Sequence, residues 1–303
     1  VKYAYFKGKI VPFEEATLSI MTHALNYGTG CFEGIRAYWN EEQQKSYILK
    51  LKEHYRRLLS SCKAIHTKID PTLDDLVKIT VELVKKNGYR EDVYIRPIAY
   101  KSEEKIGLGL YGVEDDIAIY LAPFGNYLDI SEGIKVCISK YHRISSKSMP
   151  SGAKLTGTYF NSSLAKSEAL IRGYVEAITL SHRGNVAEGS AENIFMVKNG
   201  KLITPPLSDD ILPGITRLAV MELARKELKI KCVEKSFKPA ALYKADELFF
   251  CGTGVQISPI TQVEKKKIGA GKVGPITKKL QEIYFKAVKG ENPKYKSWLT
   301  PVE

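Results

Sequence analysis

One lysine among the 46 Lys and Arg residues of this 303-residue chain has neighbours suited to covalent chemistry. Lys154 lies in Ser151-Gly-Ala-Lys-Leu-Thr-Gly-Thr-Tyr-Phe-Asn161. A lysine is ordinarily a solvated surface charge. Here Gly152, Ala153, Thr156, Gly157 and Thr158 leave room for a bulky flat ligand, and Tyr159 offers a phenol five residues on. An amine that attacks a carbonyl must be neutral, and a sheltered position favours that by desolvation. On this stretch alone the plainer reading, a glycine-rich turn before an amphipathic helix over 159–172, stays open.

Other pieces fit the same chemistry. Glu188, in Asn185-Val-Ala-Glu-Gly-Ser-Ala-Glu-Asn193, is either an ordinary loop charge or the acid that keeps a pyridinium nitrogen protonated, so that the ring acts as an electron sink. Gly214-Ile-Thr216 opens a helix, whose unpaired N–H groups and dipole suit a phosphate. Gly252-Thr-Gly254, at the end of an apolar strand, can supply more such donors. Nearer the start, Gly28, Gly30 and Gly34 alternate with aromatics between Met21 and Tyr38, where missing side chains let a ligand or another backbone come close.

The elements that must position these residues follow from periodicity. A hairpin and strand are expected over 3–20, including Thr17–Ile20, then a strand over 47–51. Helices are expected over 52–64, carrying Arg57, and 72–87, ended by Gly88. Strands 93–100 and 116–123 flank a glycine-broken loop over 105–112. Residues 124–133 read as a connection, dividing a substrate domain over 1–123 from a larger domain over 134–303. In the latter, strands are expected over 134–141 and 176–181, a hairpin around Asn199-Gly200, and a strand over 247–251. Helices are expected over 159–172, 216–228 and 275–288, with Leu218, Val220 and Leu223 as the core face of the second.

At 44% hydrophobic residues the chain can bury two cores. It has no apolar run of membrane-spanning length, and Val1-Lys-Tyr-Ala-Tyr-Phe-Lys lacks the layout of a signal peptide, so a cytoplasmic protein is expected. Cysteines 31, 62, 137, 232 and 251 are odd in number and widely spaced, which favours free buried thiols. Five scattered histidines have no metal-ligand spacing, so no metal is expected. The net charge of +12 invites a nucleic-acid reading, yet it is dispersed and no recognition motif accompanies it.

Taken together, His23-Ala-Leu-Asn-Tyr-Gly, Phe32-Glu-Gly-Ile-Arg, Tyr94-Ile-Arg-Pro, Ala153-Lys, Glu188-Gly-Ser-Ala-Glu-Asn, Leu212-Pro-Gly-Ile-Thr-Arg and Gly252-Thr span nearly the whole chain. In this order and spacing it resembles the fold-type IV pyridoxal-phosphate enzymes, the class IV aminotransferases, and most closely the branched-chain-amino-acid aminotransferases. The resemblance implies an α+β protein of two α/β domains with pyridoxal 5'-phosphate between them. It implies a Schiff base on Lys154, Tyr159 on the ring hydroxyl, Glu188 on the ring nitrogen, and Leu212 packed on the ring. Arg57, Ile215, Thr216 and Thr253 would hold the phosphate.

The implied reaction is a ping-pong transfer of the amino group of leucine, isoleucine or valine to 2-oxoglutarate. Tyr27, Phe32, Gly34 and Tyr127 would shape the apolar side-chain pocket. Tyr94, Arg96 and the N–H groups of Thr253 and Gly254 would take the carboxylate. Leu108 and Leu110 would reach the active site of a second subunit, making a homodimer the smallest complete unit. A D-amino-acid or (R)-amine transaminase shares Lys154, Glu188 and the phosphate residues, but Tyr94-Ile-Arg96 favours the branched-chain type over it. A fold-type IV lyase acting on aminodeoxychorismate would carry a different substrate-domain pattern. The resemblance assigns no role to Arg36 or Arg143.

Overall fold

The computed structural model describes residues 1–125 and 128–303, which divide into two compact units. The first comprises Val1–Gly125, Ala153–Gly157 and Lys286–Glu303; the second runs through Asn126–Gly152 and Thr158–Phe285. The expected larger domain over 134–303 differs from the second unit at 153–157 and 286–303, both of which fall in the first unit. The last residues return to the first unit because Leu299–Val302 pairs antiparallel with Lys45–Leu49, from Leu299 opposite Leu49 to Val302 opposite Ser46. A chain end that completes a sheet belongs to that sheet's core, whatever its place in sequence.

Among the described residues, the first unit holds an eight-stranded sheet. Its order is Leu299–Val302, Lys45–Leu49, Ile35–Asn40, Val93–Lys101, Asp115–Pro123, Tyr3–Phe6 and Lys9–Pro12, with Gly30–Phe32 also on Val93–Lys101. The Tyr3–Phe6 hairpin turns through Lys7 and Gly8, both at positive φ, which matches the twist of its strands. Helix Leu73–Asn87 begins with a reciprocal cap between Thr72 and Asp75 and ends at Gly88, which is left-handed. The expected strand Thr17–Ile20 does not form. Leu18 is 51% and Ile20 84% exposed, so this apolar stretch pairs with no edge, and the chain instead enters a short helix, His23–Tyr27.

Among the described residues, the second unit's sheet has nine strands, and six of them close on themselves. From Val186–Gly189 the ring passes through Glu176–Leu180, Ile134–Ile138, Gln256–Val263, Glu247–Gly252 and Asn193–Lys198, then returns to its start where Asn193 pairs with Glu188. Its central strands read as continuous apolar runs because both faces are covered. Ile194, Met196, Leu248 and Phe250 fill one core cluster, while Phe195 and Phe249, opposite each other in register, stack at 5.2 Å. The hairpin at Asn199-Gly200 forms as expected, both residues at positive φ.

Helix Ile215–Lys226 buries Ala219, Val220, Leu223 and Ala224 but leaves Leu218 56% exposed, so Leu218 is not core. At 100° per residue Leu218 lies about 200° from Val220, on the opposite side of the helix. The five cysteines are free. Among the described residues, no helix is long and apolar enough to cross a membrane. Phe250, fully buried, gives the measure of the second unit's packing. Phe250→Ala should cost about 3–5 kcal/mol in chemical denaturation; a loss below about 1 kcal/mol would mean that this core collapses around the gap.

Candidate active site

In the first unit, Lys154 is held by its backbone. Its N–H donates to Ser61 Oγ at 3.0 Å, its carbonyl accepts from Phe32 N at 3.0 Å, and Leu155 bridges antiparallel to Cys31. Two residues on, Thr156 Oγ1 accepts from Gly30 N at 3.1 Å and lies 2.7 Å from the Gly28 carbonyl, to which it can donate. Gly157 N donates to the same carbonyl at 3.1 Å. The absence of side chains at Gly28, Gly30 and Gly157 lets these backbones meet. The alternation of glycines thus serves, in part, the approach of one backbone to another.

The side chain this strap presents is 9% exposed, with Nζ 4.8 Å from the centre of the Phe32 ring. Burial, helped by the positive charge of Arg57, lowers the Lys154 amine from 10.5 to about 8. Glu33 and Tyr94 oppose the shift, and Arg96 adds to it. Strand Val93–Lys101 carries Tyr94 and Arg96 on one face, two residues apart. Arg96 Nη2 donates to Tyr94 Oη at 2.9 Å, and its guanidinium carbon lies 4.4 Å from the centre of the Phe32 ring. Among the described residues, no carboxylate pairs with Arg96. Gly34 makes room for the phenol: a Cβ there would overlap Tyr94 Oη and come within 2.8 Å of its Cζ.

Arg57, on helix Leu51–Ala64, meets Glu33 in a fork, Nε to Oε1 at 2.6 Å and Nη2 to Oε2 at 2.8 Å. His54 Nδ1 is 2.7 Å from Glu33 Oε2. Burial alone would raise the Glu33 carboxyl, but the charge and hydrogen bonds of Arg57, with those of His54, bring it down to about 2. Tyr27 Oη accepts from Gly107 N at 3.1 Å and so tethers the loop over 105–112. On that loop Leu108 is 79% exposed and Leu110 half-buried, so Leu108 packs into no core of this chain. Tyr127 lies outside the described residues.

In the second unit, Glu188 is 4% exposed where the ring of strands closes. Its Oε1 pairs with Arg143 Nε at 2.9 Å; its Oε2 accepts from Asn193 Nδ2 at 3.0 Å and Leu212 N at 3.1 Å. The same Asn193 amide donates to the Leu212 carbonyl at 3.0 Å, so one acid and one amide fix Leu212. Helix Ile215–Lys226 follows, its N-cap Gly214 extended and without a side-chain cap. Gly214 is required there, since a Cβ would overlap Asn193 Oδ1. Such a first turn presents the N–H groups of Ile215 and Thr216 to an anion. Thr253 and Gly254 occupy the turn after strand Glu247–Gly252, against which this helix packs, and Tyr159 opens helix Tyr159–Ile171.

The donor sets suit pyridoxal phosphate: a buried amine near neutrality, a buried carboxylate braced by an arginine, and an uncapped helix N-terminus. Three participants were not singled out from sequence. Glu33 lies inside the motif Phe32-Glu-Gly-Ile-Arg and His54 three residues before Arg57; an acid in an apolar, glycine-rich stretch is the signal the sequence carries for Glu33. Asn193 closes the Glu188 motif. Arg36, unassigned before, donates to the carbonyls of Phe124 at 2.7 Å and Gly125 at 2.9 Å and pairs with Asp92 at 3.5 Å. Arg143 is the partner of Glu188.

The profile of the family described as amino-transferase class IV matches residues 30–263. The chain belongs to the class IV aminotransferases, and its α+β fold is the fold of that family. Within the family it is similar to a probable branched-chain-amino-acid aminotransferase of Aquifex aeolicus, 52% identical over 300 residues that cover 99% of this chain and 96% of that protein. Among solved structures, it superposes on a branched-chain aminotransferase of Thermoproteus uzoniensis with norvaline, with a TM-score of 0.95, 45% identity and 99% of both chains covered. It superposes equally, at a TM-score of 0.95 and 38% identity over 100% of this chain and 98% of the other, on the enzyme of Thermobaculum terrenum in its pyridoxal-phosphate form.

Trace labelling of the cofactor-free protein with acetic anhydride, read on the Lys154 peptide by mass spectrometry, should rise with a midpoint near pH 8. At that pH an ordinary lysine has only about one neutral amine in three hundred. A midpoint near 10.5 would show that burial does not act on this amine.

Proposed function

We propose that this protein is a branched-chain-amino-acid aminotransferase, moving the amino group of leucine, isoleucine or valine to 2-oxoglutarate. The observation that carries this reading is the buried, near-neutral amine of Lys154 in a chain that belongs to the class IV aminotransferases. The names of its relatives support the substrate class. When bound, pyridoxal 5'-phosphate supplies the electron sink that lets the Cα–H bond of an amino acid be broken.

The protein's own residues do the rest. Lys154 Nζ would bond the cofactor, and its amine, brought down to about 8 by burial, would serve as the base that takes the proton from the substrate Cα. Glu188, held by Arg143 and Asn193, would take the ring nitrogen, Tyr159 the ring hydroxyl, and Leu212 would pack on the ring. Arg57, Ile215, Thr216 and Thr253 would hold the phosphate. Arg96, with Tyr94, takes the substrate carboxylate, a role suited to a guanidinium that no carboxylate of the described residues pairs with. The N–H groups of Thr253 and Gly254 support it.

Tyr27, Phe32, Gly34 and Tyr127 select an apolar side chain by excluding water from it. Leu108 and Leu110 complete that selection for a second subunit, so the working form is a homodimer or a larger assembly. An exposed Leu108 on a tethered loop is what such a contact needs. The place of action is the cytoplasm, where free thiols at all five cysteines persist.

The first test is a visible absorption spectrum of the purified protein with bound cofactor. The band should bleach with L-leucine and return with 2-oxoglutarate, and initial rates should give the parallel lines of ping-pong kinetics. A band that responds only to D-alanine or an (R)-amine would overturn the substrate assignment while keeping Lys154. In Lys154→Ala, turnover and the cofactor band should both be lost with the far-UV circular dichroism unchanged; full activity would overturn the role of Lys154.

A further inference from the structure

The cluster of Glu33, His54 and Arg57 is costly and needs a reason. Glu33 is fully buried, its backbone N–H donating to the Pro97 carbonyl at 3.0 Å between strands Gly30–Phe32 and Ile35–Asn40. Its two carboxylate oxygens face one turn of helix Leu51–Ala64, where His54 and Arg57 stand three residues apart. Removing two charges from water costs several kcal/mol per ion, and a buried pair often stabilises a protein less than well-packed apolar side chains would. What such a pair does supply is geometry. Glu33 engages Nε and Nη2, the two nitrogens along one edge of the planar guanidinium, at 2.6 and 2.8 Å. The orientation of the fork is thereby set, and what Arg57 offers an anion is confined to its other edge. His54, 2.7 Å from Oε2, keeps the carboxylate from rotating out of that plane.

The same helix face continues to Ser61, whose Oγ accepts from the Lys154 N–H. One rigid face therefore sets both the strap that carries Lys154 and the direction of Arg57. We infer that Glu33 is a positioning residue for the cofactor phosphate, aiming Arg57 at it through the fork and being itself held by His54. This rests on the reading that Arg57 takes the phosphate. It also makes a prediction with a sign. By simple electrostatics Glu33 is unfavourable to a phosphate, since its negative charge offsets that of Arg57, and deleting that charge should tighten phosphate binding. If Glu33 acts by orientation, deleting it should weaken phosphate binding.

The experiment compares dissociation constants of pyridoxal phosphate and of pyridoxal, which lacks the phosphate, for the cofactor-free protein and its variants. The ratio of the two reports phosphate recognition and is insensitive to losses that affect both ligands. In Glu33→Gln the preference for pyridoxal phosphate should fall at least tenfold, with pyridoxal affinity held within about twofold. An unchanged or increased preference overturns the inference. Should Glu33→Gln fail to fold by circular dichroism, Glu33→Asp decides by the same criterion, since it keeps the charge but withdraws the carboxylate by one methylene from the fork. Arg57→Gln separates the two ideas. If it abolishes the preference while the Glu33 variants keep it, the phosphate role of Arg57 stands and the positioning role of Glu33 falls; if it leaves the preference intact, Arg57 is not the phosphate ligand and both fall.

Discussion

Ala153–Gly157 leaves the second unit's stretch of sequence to join the first unit, and the Lys154 side chain that it carries is buried. A short segment can carry a buried charge-bearing side chain only if its own polar backbone is satisfied. Here the Lys154 N–H finds Ser61, its carbonyl finds Phe32 N, and Thr156 and Gly157 close on Gly28 and Gly30. Those bonds satisfy the backbone of the strap, so that its burial leaves these polar groups paired. The lowered pKa of Lys154 follows from its burial and from the positive charge of Arg57.

Both units solve the problem of burying a carboxylate, in different ways. Glu33 is met by two side chains from a single helix turn, so its surroundings are local to that helix. Glu188 is met by Arg143, Asn193 and Leu212, drawn from three separate segments that converge only because six strands close into a ring at Glu188 and Asn193. The closure also determines the start of the helix at Ile215, since Asn193 holds Leu212 and crowds Gly214. A change in the register of that one pairing would displace the acid, the packing residue and the helix N-terminus together.

Much of this was legible in the residues. Hydrophobic periods of 3.6 and 2, the stop at Gly88 and the turn at Asn199-Gly200 are interactions between residues close in sequence, and they form as their chemistry requires. The chemistry-bearing residue types, a lysine among small residues, an acid after a strand and a glycine opening a helix, are equally local. Legibility failed where a pattern had no local partner. Thr17–Ile20 has the composition of a strand and no edge to pair with, and Leu218 has the apolarity of a core residue on the wrong side of its helix.

Tertiary structure alone decided which of these residues meet. The Lys154 N–H and Ser61 are separated by 93 positions, and the final strand by most of the chain from the sheet it completes. It also gave Glu33, His54, Arg143 and Asn193 their places beside residues already singled out. The reason is physical: a helix, a turn or a cap is stabilised within a few residues and so is written in their order. The pairing of a buried charge depends on which distant segments the cores bring together, and no local pattern carries that information.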